Sequence, residues 1–274
     1  MHKGLDENFN HKLSARIKEG LTGAATKAML DIRDTVTSTN DIAKALAKAP
    51  KGVDEGYTII ASAQTKGRGT QGRSFYSPPD TGIYMSTILP SDISVDDLPH
   101  ITPLCAVAVA RAVEAVSHSE CRIKWINDIF VRGRKICGIL TEGAIGNHGR
   151  LNYAVVGIGI NLAPTVFPDA LKNTAGTLLK EMPSDLLSIK ADTIAHVLNH
   201  LFSLLPDIKS RSYLDEYRQR SLLIGKKVTV LADDNSEKSG IVTGIDENAA
   251  LCINLENECL ITVKSSSQLL SYTL

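Results

Sequence analysis

An excess of either charge is missing: thirty Lys and Arg offset thirty Asp and Glu over 274 residues, leaving a formal net charge of zero. No global field then draws the chain onto nucleic acid or an anionic membrane, while a local basic site stays compatible with neutrality. Long apolar runs are missing as well. The most extended, Ile101 to Val116, is interrupted by Arg111 and Glu114 and falls short of the ~20 residues that cross a bilayer. Met1 to Lys12 has neither a hydrophobic core nor a small-residue cleavage site, which excludes a secretory signal there and makes the cytoplasm the expected setting. No CxxC spacing occurs. The five cysteines, Cys105, Cys121, Cys137, Cys252 and Cys259, lie in apolar or alternating segments and read as reduced structural thiols without disulfides. Internal repeats and low-complexity tracts are also lacking.

What remains is an ordinary soluble composition, 43% hydrophobic and 22% charged, long enough for about two domains at roughly 150 residues each. Residues 1–30 are polar with at best helical periodicity and read as an N-terminal extension, too short for a three-helix DNA-binding module. From Ala28 to Val36 the pattern alternates as a strand. Thr37-Ser38-Thr39-Asn40 then opens a helix with a capping hydroxyl. Tyr57 to Ala63 and Ile83 to Leu89 are strands flanking the glycine-rich segment Lys66 to Ser77, where Pro78-Pro79 bars a helix. Leu104 to Val116 reads as a buried helix. Cys121 to Val131 and Lys135 to Thr141 read as two strands joined at Arg132-Gly133, followed by a strand from Tyr153 to Asn161 and helical spacing over 185–221. Short alternating runs after Leu222 mark a small all-β unit.

Gly67-Arg68-Gly69-Thr70-Gln71-Gly72 satisfies G-x-G-x-x-G, but no helix opens behind it, so the dinucleotide reading fails. A kinase reading fails for want of His-Arg-Asp and Asp-Phe-Gly. The segment is an exposed loop whose N–H groups, Lys66, Arg68 and Arg73 suit an anion, and a plain solvated hairpin fits it equally well. Lys124-Trp125-Ile126-Asn127-Asp128 gathers a cation, an amide and a carboxylate beside the only tryptophan. A carboxylate near phosphates commonly holds Mg²⁺, and lysines neutralise charge developing on oxygen. Lys135 opens a strand that pairs back towards Asp128, which sets two cations before one pocket. Gly157-Ile158-Gly159-Ile160-Asn161 ends a buried strand where backbone can approach a ligand, or where a bulge packs tightly. His196 and His200, four apart among Val197, Leu198 and Leu201, are ordinary helix residues.

Taken in order, Ser38-Thr39-Asn40, Gly67-Arg68-Gly69-x-x-Gly72-Arg73, Lys124-Trp125-x-Asn127-Asp128, Arg134-Lys135-Ile136-Cys137-Gly138-Ile139-Leu140 and Gly157-Ile158-Gly159-Ile160-Asn161 resemble the biotin protein ligases, in the form without an N-terminal DNA-binding domain. The likeness is strong over 31–164 and weaker beyond. It implies an α/β (α+β) catalytic domain at 31–221 with a mixed sheet flanked by helices, and an SH3-like β-barrel at 222–274. It also implies a two-step reaction. Biotin carboxylate attacks the α-phosphate of ATP to give biotinyl-5′-AMP and pyrophosphate, and a lysine of a biotin carboxyl carrier domain of a biotin-dependent carboxylase then takes the biotinyl group.

By the same resemblance, Ser38, Thr39 and Gln64 hold the ureido ring, supported by Asn40. Arg68 with the backbone of Gly69 and Thr70 orders over the carboxylate and phosphate, while Gly138 and Gly157 approach biotin closely. Lys135, touching carboxylate and α-phosphate, and Arg68 are the catalytic residues. Arg68, Arg73, Phe75, Lys124, Asn127, Lys135 and Asn161 contact the nucleotide, and Asp128 acts through Mg²⁺. The cofactors implied are ATP and Mg²⁺, with no nucleic acid or membrane partner, in a monomer or homodimer.

Departures from the family pattern are Ile126 for the usual proline, Phe75 for tryptophan, Ser265-Ser266-Ser267 for a glycine-containing stretch, and Thr70 and Gln71 at often basic positions, which imply weaker retention of the adenylate. A lipoate-type ligase on the same fold, or a non-catalytic biotin-binding regulator, are the alternatives. The triple-glycine pattern of the former does not occur.

Overall fold

Strands form where β-branched and small apolar residues must be buried on both faces, and helices where apolar positions recur on one side. The computed structural model describes residues 7–49, 53–90, 92–146, 151–232, 235–256 and 259–272, so positions 1–6 of the expected extension lie outside it. Seven strands, β1 (Leu30–Val36), β2 (Thr58–Gln64), β3 (Gly82–Leu89), β4 (Arg122–Lys124), β5 (Asp128–Val131), β6 (Arg134–Ile145) and β7 (Leu151–Asn161), make one sheet in the order β1-β2-β3-β7-β6-β5-β4. The β1–β2 pair is parallel and the other pairs are antiparallel, so the sheet is mixed.

Three helices cover one face: α1 (Glu7–Gly20), α3 (Leu98–Ser117) and α4 (Leu186–Leu204). Leu13 and Ile17 of α1 are fully buried in the same core as Ile101 and Leu104 of α3 and Ile194 and Leu198 of α4. The described part of the segment read as an extension is therefore built into the same hydrophobic core, because Phe9, Leu13 and Ile17 find their partners in the distant α4 and in β1. Helix α3 is also longer than the apolar run read from sequence. The stretch Val95–Ser117 is long and apolar enough to span a membrane, yet 67% of its apolar window is buried inside the protein, as in a core helix. On the other face lies α2 (Thr39–Ala47), whose Ala43 packs on Ile59, Ile88 and Val155.

After α5 (Leu214–Gln219) the chain enters a five-stranded antiparallel sheet of β8 (Lys227–Leu231), β9 (Glu237–Ile245), β10 (Leu251–Leu255), β11 (Leu260–Val263) and β12 (Leu269–Tyr272). Sequence patterning shows the first four of these strands and misses β12, whose Leu270 and Ser271 are exposed and break the alternation. One expected strand is two. Residues 121–131 divide into β4 and β5 around a turn at Trp125-Ile126-Asn127, with a cis peptide between Trp125 and Ile126. The turn is held from three directions. Trp125 Nε1 donates to Ala249 O in the turn between β9 and β10 at 2.8 Å, Tyr217 Oη of α5 donates to Ile126 O at 3.1 Å, and Asn127 Nδ2 donates to Ile139 O at 2.9 Å.

Candidate active site

Strand register places the chemistry-bearing residues. Residues directly opposite in antiparallel strands share a face, and Tyr84, Gly159, Gly138, Asp128 and Lys124 form one lateral row across β3, β7, β6, β5 and β4. The adjacent row on that face contains Ser86, Gly157 and Leu140. Lys135 lies three residues before Gly138 and would point to the opposite face of a regular strand. A bulge in the β5–β6 pairing brings Lys135 opposite Phe130, one residue out of step, and so turns it to the Asp128 side. Its Nζ lies 2.6 Å from Asp128 Oδ1.

The glycines leave this face hollow. A Cβ at Gly159 would press into the Phe75 ring at 2.6 Å, and one at Gly157 would collide with Asn40 Oδ1. Phe75 and the start of α2 roof the hollow, which encloses about 290 Å³, near the lower end of ligand-pocket volumes. All of the biotin and nucleotide positions singled out in the sequence line it except one, and Asp128 lines it too. The exception is Asn161. Its Nδ2 donates to Gly176 O at 3.1 Å, and Lys135 in turn exchanges backbone hydrogen bonds with Thr174 and Gly176 at 2.9 Å each, so Asn161 steadies the segment that holds Lys135.

At one end of the cavity a polar chain runs between α2, β2 and β3. Thr39 N and Oγ1 donate to Gln64 Oε1 at 2.9 and 3.2 Å, and Gln64 Nε2 donates to Ser77 Oγ at 2.9 Å. The Ser86 hydroxyl stands 2.7 Å from Thr39 Oγ1 and 2.6 Å from Asn40 Oδ1, while Asn40 Nδ2 donates to Glu142 Oε2 at 2.9 Å. Ser38 occupies the N-cap position of α2, but its hydroxyl makes no capping hydrogen bond, contrary to the cap read from sequence. The first-turn N–H of Thr39 finds the Gln64 side chain instead.

Over this end lies the glycine-rich loop, which is less free than its composition suggests. Gly69 N donates to Arg73 O at 2.7 Å and Phe75 N to Gly67 O at 2.9 Å, so the Gly69 N–H is already engaged and reaches an anion only if the loop rearranges. Arg73 donates to Thr70 O and Thr70 Oγ1 at 3.3 and 3.2 Å. Arg68 ties the loop to α2, 2.5 Å from Asp41 Oδ1, in a cluster where Lys44 meets Asp41 at 3.1 Å and Glu142 at 2.7 Å. Burial pushes the Asp41 and Glu142 carboxyls up, but pairing with Lys44, with Arg68 and Asn40 adding to it, holds both below their ordinary values. Their stabilisation is therefore fully present above the ordinary Glu value of 4.5 and is lost as pH falls through the lower folded values. Glu142→Gln is expected to lower stability by on the order of 1 kcal/mol at pH 7. In thermal melts, its gap from the parent protein should close as the pH falls below about 4.

The opposite end is positive, with Arg73, Lys124 and Lys135 lining the cavity against the single carboxylate of Asp128. Asp128 Oδ1 is buried and lacks an aligned hydrogen-bond donor even with the Lys135 ammonium beside it. Burial pulls the Lys124 ammonium below its ordinary value, and Lys135 and Arg73 add to this against the attraction of Asp128. Sequence reasoning did not find Tyr272 of β12, which also lines the cavity and places its ring 4.4 Å from Lys124 Nζ. Its only signal was an aromatic residue after a short alternating run.

A mixed sheet hollowed by glycines, with hydrogen-bonding groups at one end of the hollow and cations at the other, and an appended β unit define an α/β domain with one polar cavity. Residues 33–161 match the biotin/lipoate A/B protein ligase family and 223–267 match the biotin protein ligase C terminal domain; the chain belongs to this family. It is 37% identical over 190 residues to the bifunctional ligase/repressor BirA of Bacillus subtilis, a match covering 68% of this chain and 57% of that protein. The chain thus spans less than two thirds of that relative. It is 29% identical over 260 residues to the biotin–[acetyl-CoA-carboxylase] ligase of Mycobacterium tuberculosis, covering 89% of this chain and 91% of that one. The biotin protein ligase of Aquifex aeolicus in complex with biotin and ATP superposes with a TM-score of 0.70 at 25% identity, over 90% of this chain and 99% of the other.

Proposed function

We propose that the protein is a biotin protein ligase, which activates biotin with ATP and transfers the biotinyl group to a lysine of a biotin carboxyl carrier domain. The observation that carries this reading is the polarity of one cavity, with paired amide and hydroxyl groups at Ser38, Thr39, Asn40 and Gln64 at one end and the Lys135–Asp128 pair with Lys124 and Arg73 at the other. The first end suits a ureido ring, whose carbonyl accepts hydrogen bonds and whose two N–H groups donate. The second suits a carboxylate brought against phosphates.

In the first step a biotin carboxylate oxygen bonds to the α-phosphorus of ATP and the bond to the β-phosphate breaks, releasing pyrophosphate. Two anions approach each other, and in this reading the Lys135 ammonium offsets the charge of both the carboxylate and the α-phosphate. Lys124 and Arg73 oppose the charge of the leaving pyrophosphate. Asp128, the carboxylate that lines this end beside Lys135, would hold Mg²⁺; the ion would add positive charge at the phosphates. In the second step the neutral amine of the carrier lysine attacks the acyl carbon, its proton is lost and AMP leaves. No side-chain nucleophile is required, so positioning and fixed charge supply the rate. Arg68 keeps the loop over the site through Asp41, which shields the mixed anhydride from water. ATP as co-substrate and free thiols accord with a cytoplasmic setting.

The test is to supply purified protein with ATP, Mg²⁺, a carrier domain and either biotin or lipoate, then read the carrier lysine by mass spectrometry. Addition of biotin is expected. Lipoate attached in place of biotin would move the protein to the other branch of its family, and no addition from either would leave it a binding protein.

A further inference from the structure

Tyr272 belongs to the C-terminal sheet, yet its ring faces the phosphate end of the catalytic cavity. In β12 it pairs with Val228 of β8, and across the cavity edge it meets Lys124 with the ring centroid 4.4 Å from Nζ. Lys124 stands opposite Asp128 in register, but Asp128 is engaged by Lys135 at 2.6 Å. A ring face therefore does for Lys124 what no carboxylate could do as well. It attracts and orients the ammonium without neutralising it, leaving the charge for a phosphate. The contact is anchored next door, where Trp125 Nε1 donates to Ala249 O and ties the turn after Lys124 to the β9–β10 turn of the C-terminal unit.

We propose that Tyr272 is a positioning residue for ATP: it holds Lys124 over the phosphate chain, so that the C-terminal β unit sets the affinity for ATP and not that for biotin. The proposal rests on the ligase reading above. The hydrogen bonds of the polar chain that would hold the ureido ring run between α2, β2, β3, Ser77 and Glu142, and among the described residues none of them involves β12.

The experiment uses the full chain and biotin-dependent exchange of pyrophosphate into ATP, with ATP varied at saturating biotin and biotin affinity measured separately by calorimetry. Tyr272→Leu is expected to raise the KM for ATP about five- to thirty-fold, the effect of losing a partly desolvated cation–π contact, with biotin affinity changed less than two-fold. Tyr272→Phe, which keeps the ring face, should lie much nearer the parent protein than Tyr272→Leu. In a Lys124→Gln background the leucine substitution should add little. Tyr272→Met fills similar volume and serves the same comparison if the leucine variant misfolds. An unchanged KM for ATP, an equal loss of biotin affinity, phenylalanine as damaging as leucine, or additive effects in the double variant would each overturn the role. Absence of biotin-dependent exchange in the parent protein would instead count against the ligase reading, and ATP calorimetry on the parent and Tyr272→Leu would still decide the Tyr272 contact.

Discussion

Lys135→Ala should slow biotin-dependent pyrophosphate exchange by about a hundred- to a thousand-fold while the melting temperature stays near that of the parent protein. The magnitude is that of removing one preorganised charge donor from a developing oxyanion in a partly desolvated site. Lys135 is a third exposed and belongs to neither hydrophobic cluster, so its loss leaves the fold's packing intact. A simpler role is possible for such a residue, that of balancing the buried Asp128 carboxylate. The two roles separate in the pair Lys135→Ala with Asp128→Asn. If charge balance were the whole role, adding Lys135→Ala to Asp128→Asn would cost nothing beyond Asp128→Asn alone; if Lys135 stabilises the reacting oxygens, the double variant is slower than Asp128→Asn by about the same factor again. The readout is the initial exchange rate at saturating ATP and biotin.

Gly157→Ala should weaken biotin binding by about ten- to a hundred-fold, the range expected when buried hydrogen bonds of one amide are lost. The added methyl would stand where Asn40 Oδ1 now lies. Asn40 must then leave Ser86, Leu140 and Glu142, and the chain that positions Thr39 and Gln64 loses its support. Calorimetry with biotin alone measures the loss. Gly244→Ala is the control, since nothing lies within 4 Å of a Cβ there and the position is on β9 of the other sheet. Equal biotin affinity in Gly157→Ala and the parent would mean that the Asn40 chain does not shape the ligand site.

The motifs were legible because each combines a backbone constraint with a charge or amide, as in Gly67 to Arg73 or Gly157 to Asn161, and such combinations survive without knowledge of the tertiary structure. The strands β2, β3 and β7 were legible for a different reason, since burial on both faces leaves continuous β-branched runs. What stayed hidden depends on contacts between distant parts of the chain. The break between β4 and β5 is held by Ala249, more than a hundred residues away, and local patterning carries no trace of it. The bulge that turns Lys135 to the Asp128 face is a property of pairing, not of either strand alone. The hydrogen bond from Asn161 to Gly176 comes from the chain folding back after the strand, which the strand's own residues do not reveal. Helix α1 reads as part of an N-terminal extension because the partners of Phe9, Leu13 and Ile17 lie farther along the chain, in α4 above all. Tyr272 was invisible because its importance lies entirely in which residue of another sheet it meets.

The joining of two anions in one hollow is tested most directly without any carrier. Protein incubated with biotin, ATP and Mg²⁺ is passed through native mass spectrometry, and released pyrophosphate is measured in the same sample. The expected result is biotinyl-5′-AMP, bound and released together, in an amount matching the pyrophosphate, both formed about a hundred- to a thousand-fold more slowly in Lys135→Ala. Biotin and ATP recovered unchanged, or pyrophosphate released in equal measure without biotin, would contradict it.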